Sequence, residues 1–281
     1  MTTVPVTDLA LSRRLERAEG RSNAAFVAAR ARLQPRSGAA WQEIGEALAL
    51  FDGVGSPLTQ TFALGLGGDV ADATLDALEA FFAGRGADVC HEVSPMADVT
   101  LLERLPARGY RPVELTTVMH LPLPADARPA ERPADPALRV RPIDAGEAAH
   151  WADLSARGWG EAPELADFMR DFGAVGAQAE GNVCFLAEWD GTPVGTGAVS
   201  IHDGVALLAG ASTLPAWRGR GAQGALLGAR LRHAAAVGCD VAMMGALPGS
   251  ASQRNAERQG FRIAYTRMKW HRAHGARGHA A

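Results

Sequence analysis

The stretch LPAWRGRGAQGALLGARLRHA, Leu214–Ala234, sets three glycines and two arginines in a short turn, Arg218 to Gly224, that runs straight into an alanine- and leucine-rich helical pattern. The first turn of a helix leaves backbone N–H groups without partners and carries a partial positive charge. A glycine-rich turn at that place therefore suits an anion, phosphate first. The pattern around the turn has to decide which phosphate.

Two familiar phosphate motifs fail. A P-loop needs Gly-Lys-Ser/Thr, and Lys269, the only lysine among 28 basic residues, is remote from the turn. Gly219, Gly221 and Gly224 spell G-x-G-x-x-G, but the residues PAWR separate the preceding strand pattern from the first glycine. The acidic residue further on, Asp240, begins the next strand instead of ending it, and too little chain follows for a doubly wound sheet, so nicotinamide is disfavoured.

Composition bounds the class. The chain has 281 residues, 47% hydrophobic and 21% charged, as expected of a soluble globular protein with one or two cores, and its length favours two domains. A formal charge of −3 and the absence of a polybasic tract argue against a nucleic-acid partner. No apolar run approaches a membrane span and the amino terminus lacks a signal-peptide pattern, so a cytoplasmic protein without a membrane partner is expected. Cys90, Cys184 and Cys239 sit singly in apolar, strand-like surroundings and read as buried reduced thiols. His271, His274 and His279 lie in a polar tail with no carboxylate or cysteine company, and no metal site is expected.

Leu121 to Leu138 holds 5 of the 16 prolines and reads as a linker. The expected organisation is a first domain over 1–121, a linker over 122–138, a second domain over 139–272 and a disordered tail over 273–281. In the second domain LRVRPI reads as a strand, two helical segments follow, and three strands are joined by turns at Asp190-Gly191 and Asp203-Gly204. The helix after the glycine turn runs to about Val237, with Leu227, Leu231, Ala234 and Ala235 on one face; CDVAMMGA is the next strand. Ser250 and Gln253 resemble a capping box opening a short helix, and two final strands, FRIAY and RMKWH, follow Gly260. The first domain repeats this order: Gly86 aligns with Gly238 and Gly109 with Gly260, which marks an internal duplication. Facing the arginine-bearing turn is GLGGDVAD, whose Asp69 and Asp72 would repel a phosphate.

Strand, Pro-x-x-Arg-Gly-x-Gly, helix, strand, short helix and Gly-Phe resemble, in that order, the GNAT superfamily of acyl-CoA N-acyltransferases from Leu138 to about Arg272. The resemblance implies an α/β protein of two tandem GNAT-like domains, each a mixed, mainly antiparallel sheet flanked by helices, the first incomplete or degenerate. It further implies acetyl-CoA or coenzyme A as cofactor. Arg218, Gly219, Arg220, Gly221, Ala222, Gln223 and Gly224 would hold the pyrophosphate, and the backbone of Ala211, Ser212 and Thr213 the pantetheine arm. The family's pattern has glycine or alanine where Gln223 stands, so altered side-chain contacts are expected. Ser252, Asn255 and Arg258 of the short helix are further candidates for coenzyme contact. A tyrosine that often protonates the departing thiolate is replaced by Ala256, and Val205 to Leu214 contains no carboxylate. No catalytic acid or base is therefore assigned, and His202 with Asp203 reads as a hairpin tip. By family analogy the acceptor would meet the first two helices, where Trp159, Glu161 and Glu164 could line an opening for a cationic amine while Trp151 packs in the core. The implied function is transfer of an acetyl group to a small-molecule amine by direct attack; the alternative is a non-catalytic acyl-CoA-binding or scaffold protein. The two halves would form a monomeric pseudo-dimer or a homodimer.

Overall fold

A computed structural model describes residues 7–123, 135–159 and 165–275. Helix α1 (Leu9–Leu33) starts at Asp8, whose carboxylate accepts the Leu11 N–H at 2.8 Å. Strands β1 (Ala40–Ile44), β2 (Ala47–Phe51) and β3 (Gln60–Phe62) lead to α2 (Asp72–Ala83), β4 (Val89–Val93), α3 (Leu101–Ala107) and β5 (Arg111–Pro122). After the proline-rich stretch come β6 (Leu138–Pro142), α4 (Ala148–Gly158) and α5 (Ala166–Gly176). The meander β7 (Asn182–Trp189), β8 (Thr192–His202) and β9 (Val205–Thr213) precedes α6 (Ala222–Ala236), β10 (Val241–Ala246), α7 (Ala251–Arg258) and β11 (Arg262–Arg272). The fold is α/β: β1–β2, β2–β3, β4–β11, β11–β5, β6–β7, β7–β8 and β8–β9 pair antiparallel, and β3 meets β4 in parallel.

Packing divides the chain into two units, Met1–Leu121 together with Met243–Ala281, and Pro122–Ala242. The segment expected to complete a domain over 139–272 thus packs, from residue 243 onward, with the amino-terminal strands. The reason is β11, which lies antiparallel to β4 on one side and to β5 on the other. FRIAY and RMKWH, expected as two strands, are this single strand, interrupted only by register shifts at Ile263/Tyr265 and Lys269/Trp270. Most of the expected linker, residues 124–134, and most of the expected tail, residues 276–281, lie outside the described residues.

In the first unit α2 and α3 bury Leu75, Leu78, Phe82, Leu101 and Leu105 against Val89, Val93 and Trp270, while α1 sets Ala24 and Val27 on Leu50 and Phe62. In the second, Trp151 and Leu154 of α4 meet Cys184, Leu186 and Ala198, and the Trp151 indole donates to the Phe185 carbonyl at 3.0 Å. Trp151 is a core residue, as its helical spacing implied. Both hairpin turns have the expected chemistry: Asp190 and Gly191 (φ 47° and 79°) and Asp203 and Gly204 (φ 51° and 74°) supply the paired left-handed residues of a type I′ turn.

The internal duplication is visible in backbone detail. At the end of α2 the Gly86 and Ala87 N–H groups donate to Ala83 and Phe82; at the end of α6 Gly238 and Cys239 donate to Ala235 and Ala234. After α3, Gly109 and Tyr110 donate to Pro106 and Leu105; after α7, Gly260 and Phe261 donate to Glu257 and Ala256. All four aligned glycines have φ between 67° and 92°, so each helix ends by the same left-handed turn.

Periodicity gave no sign of the ionic network inside the first unit. Arg267 of β11 bonds Glu16 at 3.2 Å and Glu19 at 2.7 Å from α1, and pairs with Glu92 of β4 at 3.0 Å. Tyr265 donates to Glu16 at 2.9 Å. Burial drives the Glu16 pKa up to about 7, against the pull of Arg267. A carboxyl group whose pKa is raised on folding takes up a proton when the chain folds, so its contribution to stability is full below pH 4.5 and lost as pH rises through 7. Glu16→Gln is therefore expected to flatten the fall in stability between pH 5 and pH 8, as read from urea midpoints at the two values.

None of the described helices is long and apolar enough to cross a membrane. All three cysteines are free, and burial pushes the Cys184 thiol up to about 12 and Cys90 to about 11, which keeps both protonated and unreactive.

Candidate functional site

The turn between β9 and α6 is built from left-handed glycines. Gly219 has φ 78° and Gly221 φ 90°, conformations that a side chain would strain. Gly221 stands at the helix start with no side chain capping the first turn. The first helical hydrogen bond from this end is Ala225 N–H to the Gly221 carbonyl at 3.0 Å, so the N–H groups of Ala222, Gln223 and Gly224 precede the helical ladder. Arg218 to Gly221, Gln223 and Gly224 are exposed, and a Cβ at Gly219 or Gly224 would meet nothing within 4 Å. An open row of backbone donors at the positive end of a helix of 15 residues is what an anion requires.

The two arginines of the turn have different surroundings. Arg218 folds back, donating from Nε to the Thr213 carbonyl at 3.3 Å and from Nη2 to the Gly158 carbonyl at 3.0 Å, where it caps the end of α4. Arg220 is exposed, its guanidinium 4.8 Å from the Trp217 ring centre and 5.9 Å from that of Trp189, and those two rings lie 5.8 Å apart. The aromatic pair holds this cation beside the turn; Trp189 and Trp217 were not singled out in the sequence because one ends a strand and the other precedes the motif. Gln223, the departure from the family pattern, donates from Nε2 to Thr213 Oγ1 at 2.7 Å. Its side chain is thus drawn back onto β9, leaving its backbone N–H at the turn.

Strand β9 reaches the turn through a bulge. Thr196 pairs with Ser212 and Ala198 with Ala209, so Gly210 and Ala211 together stand opposite Gly197 alone. Gly210 takes φ 59°, and Ala209 and Gly210 are exposed in mid-strand. The Ser212 hydroxyl, buried, donates to the Ser155 carbonyl at 3.2 Å and shares a 2.8 Å hydrogen bond with Thr196 Oγ1. It fastens α4 to the strand, with Gly158 bare of a side chain to admit it. Of Ala211, Ser212 and Thr213, then, the side chains of the latter two serve internal contacts and only backbone groups remain to serve a ligand.

Ser252, Asn255 and Arg258 lie on α7, in the other unit, where all three are exposed and Arg258 donates to Asn255 Oδ1 at 3.2 Å. Ala256, at the family's tyrosine position, is the buried residue of that helix. Ser250 accepts the Gln253 N–H at 3.2 Å as expected, while the Gln253 side-chain Oε1 takes the N–H of Gly249 instead of that of Ser250. Tyr265 is buried, and its hydroxyl donates to Glu16. Trp159 is 51% exposed just beyond α4; Glu161 and Glu164 lie outside the described residues. Among the described residues no group of three or more His, Cys, Asp or Glu is placed to hold a metal ion.

The equivalent turn in the first unit is closed by the chain's own carboxylates. A Cβ on Gly67 would overlap the carboxylate of Glu46, and Asp98 accepts the Val70 N–H at 2.9 Å. Asp72, expected to repel a phosphate, is held by Arg104 at 2.6 Å and Arg108 at 2.9 Å, and these hydrogen bonds lower its pKa. Its charge is answered within the fold.

Residues 147–261 match the model of the Acetyltransferase (GNAT) family. The chain is similar in fold to a GCN5-related N-acetyltransferase from Kribbella flavida, at 23% identity and a TM-score of 0.62 over 88% of this chain and 95% of that one. It is also similar to a GCN5-related N-acetyltransferase from Sphaerobacter thermophilus, at 17% identity and a TM-score of 0.53 over 91% of each chain. A tandem GNAT protein from the clavulanic acid biosynthesis pathway aligns at 15% identity and a TM-score of 0.57, over 82% of this chain and 79% of that one. No curated protein matches the chain.

Proposed function

Since residues 147–261 match the model of the Acetyltransferase (GNAT) family, we propose that the turn from Arg218 to Gly224 holds the pyrophosphate of coenzyme A and that the protein transfers the acetyl group of acetyl-CoA to a small-molecule amine. The observation that carries this reading is the row of N–H donors of Ala222, Gln223 and Gly224 at an uncapped helix start, which the left-handed Gly219 and Gly221 lead into. Arg220, held on Trp217 and Trp189, adds the positive charge beside it. Arg218 supports the turn from behind through Thr213 and Gly158.

The bulged backbone at Gly210 and Ala211 would receive the pantetheine arm and polarise the thioester carbonyl through N–H groups that lack a register partner on β8. A neutral amine would then form the C–N bond as the C–S bond breaks, one proton leaving nitrogen and one ending on the coenzyme thiol. With Ala256 at the family's tyrosine position and no carboxylate on β9, proximity and backbone hydrogen bonds carry the rate and water relays the proton. The first unit, whose turn is filled by Glu46 and Asp98, serves as the structural copy. The protein would act in the cytoplasm as a monomeric pseudo-dimer or a homodimer.

A panel of small-molecule amines incubated with acetyl-CoA and the protein tests this directly. The expected result is enzyme-dependent release of free thiol with at least one amine, at a modest turnover that rises with pH as the amine deprotonates. A protein that binds acetyl-CoA yet releases no thiol with any amine is an acyl-CoA-binding module.

A further inference from the structure

Arg230 is a buried cation with no carboxylate beside it among the described residues. It is 4% exposed and sits on α6, two turns beyond the anion-binding end of that helix. Its Nε donates to the Leu226 carbonyl at 3.1 Å. Its Nη1 donates to the carbonyls of Ala198 on β8 at 3.1 Å and Ala209 on β9 at 3.2 Å. Ala198 and Ala209 are the cross-strand pair at which the regular register stops, immediately before Gly210 and Ala211 bulge out. Gly197, opposite the bulge, leaves the guanidinium its room: a Cβ there would lie 3.1 Å from both Cζ and Nε.

Packing alone does not account for a guanidinium in this place. A buried charge is disfavoured unless it is well paired, and a methionine or leucine would fill the same space without that penalty. Burial pulls the Arg230 pKa down to about 10, which still leaves it charged at neutral pH. What arginine alone provides is a rigid fork of donors that can satisfy two strand carbonyls and a helix carbonyl together.

We propose that Arg230 is a positioning residue for acyl transfer: its guanidinium holds the β9 bulge open by taking the carbonyls of Ala198 and Ala209, and ties that bulge to the helix whose first turn cradles the pyrophosphate. This rests on the acyl-transfer reading above and deepens it. The bulge N–H groups and the phosphate turn then sit at a fixed spacing matched to one thioester, and the buried positive charge favours negative charge developing on the carbonyl oxygen.

Two readouts on Arg230→Met, Arg230→Lys and Gly197→Ala separate this role from a merely structural one. The first is hydrogen exchange of the ligand-free protein over residues 195–213. Arg230→Met is expected to raise exchange there at least tenfold with the first unit unchanged, Gly197→Ala to act in the same direction by displacing the guanidinium, and Arg230→Lys to restore most of the protection. Unchanged exchange in folded Arg230→Met or in Gly197→Ala overturns the proposal. The second is the infrared carbonyl band of acetyl-CoA labelled with carbon-13 at the thioester. The wild type is expected to shift it to lower frequency, and Arg230→Met to lose the shift while coenzyme A affinity stays within about threefold; a shift that survives in Arg230→Met overturns the positioning role. A wild type that does not bind acetyl-CoA overturns the function proposed above, and the exchange measurement then supports or overturns the bulge-holding role by itself.

Discussion

Gly224→Glu is expected to abolish stabilisation by acetyl-CoA in a protein that is as stable as the wild type or more so. Gly224 is the third residue of α6, has no left-handed φ, and opens onto empty space. Replacing a helical glycine by almost any other residue gains about 0.5–1 kcal/mol, and a carboxylate in the first turn also suits the helix dipole. The same carboxylate occupies the place where pyrophosphate oxygens would lie and repels them. In the wild type, acetyl-CoA at a hundredfold its Kd adds about 2.7 kcal/mol to apparent stability; the variant is expected to show none of it. Gly224→Gln, of equal size and no charge, is expected to keep part of the effect. Gly221→Glu is the poorer probe, because φ 90° strains any side chain there. The check is a thermal-shift titration of all three proteins, and full acetyl-CoA stabilisation of Gly224→Glu would remove pyrophosphate from this turn.

Arg267→Met is expected to give the largest loss of stability of any single substitution considered. It removes the guanidinium that joins Glu16, Glu19 and Glu92, and leaves three carboxylates facing one another with two of them almost wholly buried. Breaking one partner out of a buried ionic set costs about 3–5 kcal/mol, a large share of a typical domain's 5–15 kcal/mol. Because β11 carries Arg267 and α1 carries two of its partners, the loss should appear as early release of α1 and β11 together, measurable by urea unfolding with hydrogen exchange. Adding Glu16→Gln should recover part of it, because it removes one of the three facing carboxylates. An unfolding midpoint of Arg267→Met equal to the wild type would mean that these carboxylates are satisfied without the arginine.

Local chemistry was legible where it is written in adjacent residues. The two Asp-Gly hairpins, the glycine turn and the aligned glycines of the duplication each depend on left-handed backbone that few residue types adopt, and the Ser250 cap on a short hydroxyl side chain three residues before its donor, so spacing alone revealed them. Three features escaped because their cause lies in partners distant in sequence. The buried face of α6 is Leu226, Ala229, Arg230, Leu231 and Ala234, whereas the pattern pointed to Leu227, Leu231, Ala234 and Ala235; a periodicity rule places an arginine outside, and here the bulge carbonyls draw it in. Arg218 has the same defect in reverse: its position in the motif suggested a phosphate contact, and the fold turns it onto Gly158, 60 residues earlier. The place of β11 between β4 and β5 could not be read from FRIAYTRMKW, since nothing in a strand's own residues names its neighbours. A buried arginine flanked by aromatic and small residues late in the chain, as at Arg267, was the available hint of that network.

With Arg218–Gly224 as the seat of the coenzyme A pyrophosphate, a thermal-shift titration of the wild type with acetyl-CoA, NAD and ATP is expected to raise the midpoint with acetyl-CoA alone among the three, in a saturable way. A well-folded protein whose midpoint acetyl-CoA leaves unmoved at saturating concentration, or one that NAD stabilises instead, would contradict that placement.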